Sequence, residues 1–188
     1  METEFWKCQP ESEPWRGPGE RFALVDPSDQ SPARTEAPIL ENRRYGAELH
    51  NARRTASFRF LPFDHNEALM NMLRSKKISL LGRKWCEGMF HSRSHTRLVF
   101  VELKAKNRLR LQQPVKQIRS VLSFLQRHEP GVLNKARWKR AIISNRKHPF
   151  AYTAQDRDKR HQEQFHAYKK EFSANWGVRL ESGFHIEL

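Results

Sequence analysis

The first candidates for chemistry are an acid and a base at the end of an apolar run. In Arg97-Leu98-Val99-Phe100-Val101-Glu102-Leu103-Lys104 the residues Leu98 to Val101 describe a strand buried on both faces, which then turns ionic. Side chains alternate along a strand that rises about 3.3 Å per residue, so Glu102 and Lys104 share one side, about 6 to 7 Å apart. A carboxylate and an ammonium are costly to desolvate at such a place, so they either pair with their neighbours or do chemistry. A second acid, Glu87, lies in Lys84-Trp85-Cys86-Glu87-Gly88-Met89-Phe90, which reads as a strand or bulged strand. The polar loop His91 to Thr96 joins it to the first strand as an antiparallel hairpin, which brings Glu87 beside Glu102. His91 and His95, in that loop, read as polar surface.

These residues need elements to position them. A helix is expected from Gln113 to about His128, with Pro114 in its first turn and Val115, Ile118, Val121, Leu122, Phe124 and Leu125 in one apolar arc. Gln117 falls inside that arc, so its amide must bond neighbouring backbone or face something polar beneath the helix. Trp138 to Ser144 reads as the next strand, and strand, helix, strand implies a βαβ crossover. Upstream, Asp64 with Glu67 three residues on reads as a capping box that opens a helix to about Ser75. Residues 41–55 are expected to be helical, Ala56 to Leu61 a strand stopped by Pro62, and Lys77 to Leu81 another strand. A long helix over 155–175 ends at Gly177, and Val178 to Leu188 reads as a final edge strand.

Charge bounds the partner. The chain of 188 residues carries a formal net charge of +14. Residues 1–41 hold nine acidic and four basic side chains and six of the ten prolines, so the rest of the chain carries +19. We read 1–41 as an irregular acidic arm whose aromatics Phe5, Trp6, Trp15 and Phe22 could dock on the core or on a partner, and 42–188 as the core domain. Such a basic core argues for a polyanion, most simply nucleic acid, with Lys106, Arg108, Arg110, Arg137, Lys139 and Arg140 as candidate phosphate contacts. Two cysteines, Cys8 and Cys86, are too few for a disulfide framework or a tetrahedral zinc set. No apolar run reaches the roughly 20 residues of a membrane span, and the first residues lack the pattern of a secretory signal. A soluble, cytoplasmic protein is expected, with a protein partner or a homodimer left open.

The order helix, strand, strand with Glu87, strand with Glu-x-Lys, helix with glutamine, strand resembles the PD-(D/E)xK nuclease superfamily over about residues 64–145. The matching residues are Cys86-Glu87-Gly88, Val101-Glu102-Leu103-Lys104, and Gln113 or Gln117. Glu87 stands where the family usually has Asp, and the usual preceding proline is absent. The resemblance implies a restriction-endonuclease-like α/β core, a mixed central sheet flanked by helices. It also implies Mg2+ or Mn2+ bound by Glu87, Glu102 and the Leu103 carbonyl, with Lys104 toward the attacking water and Gln117 beside them. The implied activity is phosphodiester hydrolysis, with DNA the expected substrate. The alternative is a non-catalytic basic nucleic-acid-binding or assembly protein that keeps the same fold.

Overall fold

The computed structural model describes residues 4–25, 33–36, 46–52, 56–78, 84–104, 111–145, 159–183 and 185–188. A 3-10 turn at Glu4–Cys8 precedes β1 (Arg21–Val25), β2 (Arg34–Glu36), β3 (Ala47–His50) and β4 (Phe58–Pro62). Then come α1 (Glu67–Ser75), β5 (Gly88–Ser92), β6 (Arg97–Lys104), α2 (Gln112–His128), the short α3 (Pro130–Lys135) and β7 (Trp138–Asn145). The chain closes with α4 (Lys159–Trp176), β8 (Arg179–Ser182) and β9 (His185–Glu187).

Among the described residues the strands form two mixed sheets, a larger one in the order β4-β5-β6-β7-β8 and a smaller one in the order β2-β1-β3-β9. In the larger sheet β4, β5 and β6 run antiparallel, and β7 and β8 then join in parallel, with α2 and α3 carrying the crossover from β6 to β7. The central position of β6 and the crossover agree with the sequence reading.

Alternation along the strands separates two cores. Leu98 and Phe100 of β6, Met89 of β5 and Ile143 of β7 pack with Ile118, Leu122 and Leu125 of α2 and Phe172 of α4. Val99, Val101 and Leu103 face the other way, onto Phe22, Leu49 and Ile186 of the small sheet. The molecule is therefore layered as helices, large sheet, small sheet. Each fully buried large side chain contributes about 1.5 to 3 kcal/mol by leaving water.

Several expectations are corrected. Residues 21–25 and 34–36 within the supposed irregular arm are strands, and Phe5, Trp6 and Phe22 are buried core residues. Their rings pack against distant segments, Phe5 on Phe63, Trp6 on His91 and Phe22 on Phe90, which local periodicity cannot show. The helix expected over 41–55 is replaced at 47–50 by β3, whose buried Ala47 and Leu49 alternate with half-buried Glu48 and His50, a period of two. The cap of α1 is Asn66, whose side chain accepts from the Leu69 N–H at 3.0 Å. Asp64 precedes His65, which sits at φ 52, so helical geometry begins only after the turn. The last segment is split at Gly183: β8 extends the large sheet while β9 pairs in parallel with β3 of the small one. The strand expected at Lys77 to Leu81 falls largely on 79–81, outside the described residues. Gly177, at φ 62, ends α4 as expected.

Candidate active site

The hairpin register decides where the two acids meet. β5 and β6 pair with Gly88 opposite Val101 and Met89 opposite Phe100, and the pairing ends there: Glu102 is the next residue of β6, while Glu87 sits in the bend just before β5. The main chain of Glu87 stays in the sheet, because its carbonyl accepts from the Phe63 N–H at 2.9 Å, one step beyond the pairing of Pro62 with Gly88. Glu102 lies on the helix side of β6, as Leu98 and Phe100 do.

Glu102 is fully buried at 0% exposure and Glu87 is half-buried. Both carboxylates act on one neighbour. The thiol of Cys86 is pushed well above its ordinary pKa, first by burial, then by the charge of Glu102 and then by that of Glu87.

The segment bearing Glu87 is held from two sides. Gln117 on α2 donates its amide to the Trp85 carbonyl at 2.9 Å, which answers the question raised by an amide within the apolar arc. Gly88 follows Glu87 because nothing larger fits: a Cβ there would lie 2.4 Å from the Leu61 carbonyl oxygen and 2.5 Å from the Phe60 ring. Behind β6, Leu103 packs on Gly46, where a Cβ would come within 2.5 Å of the leucine, and Ser144 donates to the Gly46 carbonyl at 2.9 Å. The small sheet thus backs the end of the strand that carries Glu102.

The other predicted residues fall elsewhere. The main chain of Lys104 ends β6 opposite Asn145, and its side chain lies outside the described residues. Lys106, Arg108 and Arg110 also lie outside them. Arg137, Lys139 and Arg140 sit at the start of β7, whereas Glu102 pairs with Ile143 near its end. Six residues separate Arg137 from Ile143, about 20 Å of strand. Arg140 is engaged internally: its Nε donates to Glu181 Oε1 at 3.0 Å, and its terminal nitrogens reach Glu181 Oε2 and the Glu187 carbonyl. It ties the edge of the large sheet to the end of the small one. Lys139 is half-buried and donates to the Leu133 carbonyl at 3.4 Å, and burial lowers its pKa. Arg137 remains exposed.

His91 and His95 are not loop surface. They are 3% and 9% exposed, beneath Trp6, which stacks on His95 at 3.9 Å with 7° between the rings. Sequence reasoning also missed the Trp85 carbonyl as the anchor for Gln117. Its signal was the amide itself, which required a partner beneath the helix.

A hard divalent ion is implied by the resemblance, and two carboxylate oxygen donors suit Mg2+ or Mn2+, which keep several waters. Among the described residues no three His, Cys, Asp or Glu side chains gather into a metal-holding group. The fit therefore rests on the two carboxylates of Glu87 and Glu102 alone.

Comparison of the chain with protein family models, curated proteins and solved structures found no match.

Proposed function

We propose that this protein is a metal-dependent nuclease that hydrolyses phosphodiester bonds, with DNA as its substrate. The observation that supports the reading is the β5–β6 pairing that ends with Gly88 opposite Val101, the chain neighbours of Glu87 and Glu102, at the carboxyl end of a buried central strand. In open α/β sheets ligands bind outside the carboxyl ends of strands where the winding changes, and β6 stands at such a change, antiparallel to β5 and parallel to β7.

Glu87, Glu102 and the Leu103 carbonyl are the groups that would hold Mg2+ or Mn2+. When bound, such an ion neutralises charge on the scissile phosphate and favours the ionised form of a water. Glu102 is placed by β6 and needs no rearrangement, because its neighbours on both strands are fixed by pairing. Glu87 is placed by Phe63, Gly88 and the Gln117 bond, and its partial exposure leaves a side open to substrate. Lys104, two residues after Glu102, is assigned to orient the water and stabilise the phosphate. In the reaction a water oxygen bonds to phosphorus, the bond to one bridging oxygen breaks, and the water proton leaves to a base while the departing oxygen gains one.

The test is incubation of the protein with supercoiled plasmid, single-stranded DNA and RNA, in Mg2+, Mn2+ or EDTA, beside Glu102→Gln. Cleavage that needs the ion and disappears in the variant supports the reading. Binding of DNA with no cleavage in either ion replaces it with that of a non-catalytic nucleic-acid-binding protein.

A further inference from the structure

On the side of α2 away from the sheet, a groove of about 500 Å3 opens between that helix and Tyr168 of α4. Lys116, Arg119, Arg127 and His128 line it, with Ser120 and Ser123 between them, and the described lining residues include no carboxylate. We propose that this groove binds the phosphate backbone of a single-stranded nucleic acid. The proposal takes its substrate class from the nuclease reading and adds a binding track on another face of the molecule.

Three features separate the groove from an ordinary solvated helix face. First, a solvated face usually interleaves acids and bases at i, i+4, whereas the 17 residues of α2 contain no Asp or Glu. Its cations instead stand toward the two ends of the groove, Lys116 and Arg119 at one and Arg127 at the other, and Lys116 and Arg127 lie eleven residues, about 16 Å, apart along the axis. Second, the surface is concave, and two of the side chains that line it, Arg119 and His128, are held in place. Arg119 is fixed by Glu171 at 2.8 Å and lies 5.9 Å from the Tyr168 ring centroid, and His128 stacks on Phe124 at 5.3 Å. Third, rings accompany the charges. Tyr168 and His128 supply flat surfaces beside guanidinium and ammonium groups, the combination that holds single strands by base stacking and backbone attraction.

Size selects the occupant. The volume falls in the range of small-ligand pockets, about 300 to 1,000 Å3, which admits phosphates with a base or two but not a double helix. An acidic peptide would satisfy the cations and leave the rings unused. The groove also shares a helix with the site: Gln117 reaches inward from α2 to the Trp85 carbonyl, while Lys116 faces outward into the groove. A strand lying along α2 is thus held by the same helix that positions the Glu87 segment.

The experiment is fluorescence anisotropy of the full chain with a short labelled oligothymidylate in EDTA, repeated over a range of salt. Lys116→Glu with Arg127→Glu should weaken binding at least about tenfold and make the dependence of log K on log salt shallower by about 1.4, for two phosphate contacts to a single strand. Tyr168→Leu should weaken it about tenfold through lost stacking. Duplex of the same sequence should lose less than about threefold. Unchanged oligonucleotide affinity, an equal loss for duplex, or equal competition by polyglutamate overturns the proposal. If the charge reversal lowers the melting midpoint, Lys116→Gln with Arg127→Gln carries the same test. Groove-dependent binding by a protein that never cleaves removes the nuclease reading and keeps the groove, whereas a cleaving protein whose groove variants bind normally does the reverse.

Discussion

The two ends of the β5–β6 hairpin bury ionisable groups in opposite ways. At the turn end, His91 and His95 are covered by Trp6 and Trp15, and His91 Nε2 lies 2.8 Å from Gln9 Oε1. At the open end, Glu102 is buried beneath the helices while Glu87 beside it stays half-exposed. Burial at the first end favours the neutral form: His91 is held down to about 3, first by desolvation and then by the nearby His95. At the second end burial, then Glu102, then Glu87 raise the pKa of the Cys86 thiol. The sealed end fastens the chain to itself, and the end left open on one side can act on something else.

The largest effect that would sharpen this contrast is on cleavage. Glu102→Gln should reduce turnover by about 100- to 1,000-fold with DNA affinity kept or raised, since removing negative charge cannot weaken attraction to phosphate. Turnover within about threefold of the native rate would make the open end as purely structural as the sealed one. At the sealed end Trp6→Ala should cost about 3 to 5 kcal/mol in denaturant unfolding, because a large core ring is lost, and should leave the rate per folded molecule unchanged. A loss below about 1 kcal/mol would show that the cluster does not hold the N-terminal segment.

His91 sets a pH dependence with a definite sign. Its pKa is depressed on folding, so at a pH between about 3 and the ordinary 6.5 the unfolded chain binds a proton that the folded one does not. This contribution to stability is complete above pH 6.5 and is lost as pH falls, by about 1 kcal/mol per unit. Urea titrations at several pH values should show that slope in the native chain and a flatter one in His91→Gln. Equal slopes would remove His91 as the cause. Gln117→Ala should cost about 1 kcal/mol of stability and lower the cleavage rate more than DNA affinity, because it frees the strand that positions Glu87. The smallest expected effect is Glu67→Gln, within about 0.5 kcal/mol, while Asn66→Ala costs about 1 kcal/mol or more as the true cap. A reversal of that order would restore the capping box.

Local patterns made the middle of the chain legible. The apolar arc of α2 from Val115 to Leu125 is buried as its spacing implies, and the hairpin register follows from two strands joined by a short turn. The amide of Gln117, out of place in that arc, correctly announced a polar partner. Elements whose partners are remote were illegible. β1 is five residues long, and β3 pairs with β9 from the far end of the sequence. Their burial depends on chain segments that no local window contains, so prolines and charge suggested an irregular arm. One candidate cation was misread for a related reason. Arg140 looks like surface charge in sequence, and only the topology brings Glu181 and the Glu187 carbonyl to it.

The pairing of β3 with β9 has a consequence for the order of assembly. Glu48 lies across from His185, so the small sheet closes only when chain segments about 137 residues apart have met. The hairpin β5–β6 can form within microseconds of its synthesis, whereas β3 must wait several seconds for its partner strand at about 5 to 20 residues per second. During that interval the cluster around Phe22 and Leu24 of β1 lacks Ile186 and Leu188. Folding of this protein should be slow and sensitive to concentration, with the exposed edge of β3 as the place where nascent chains pair with each other.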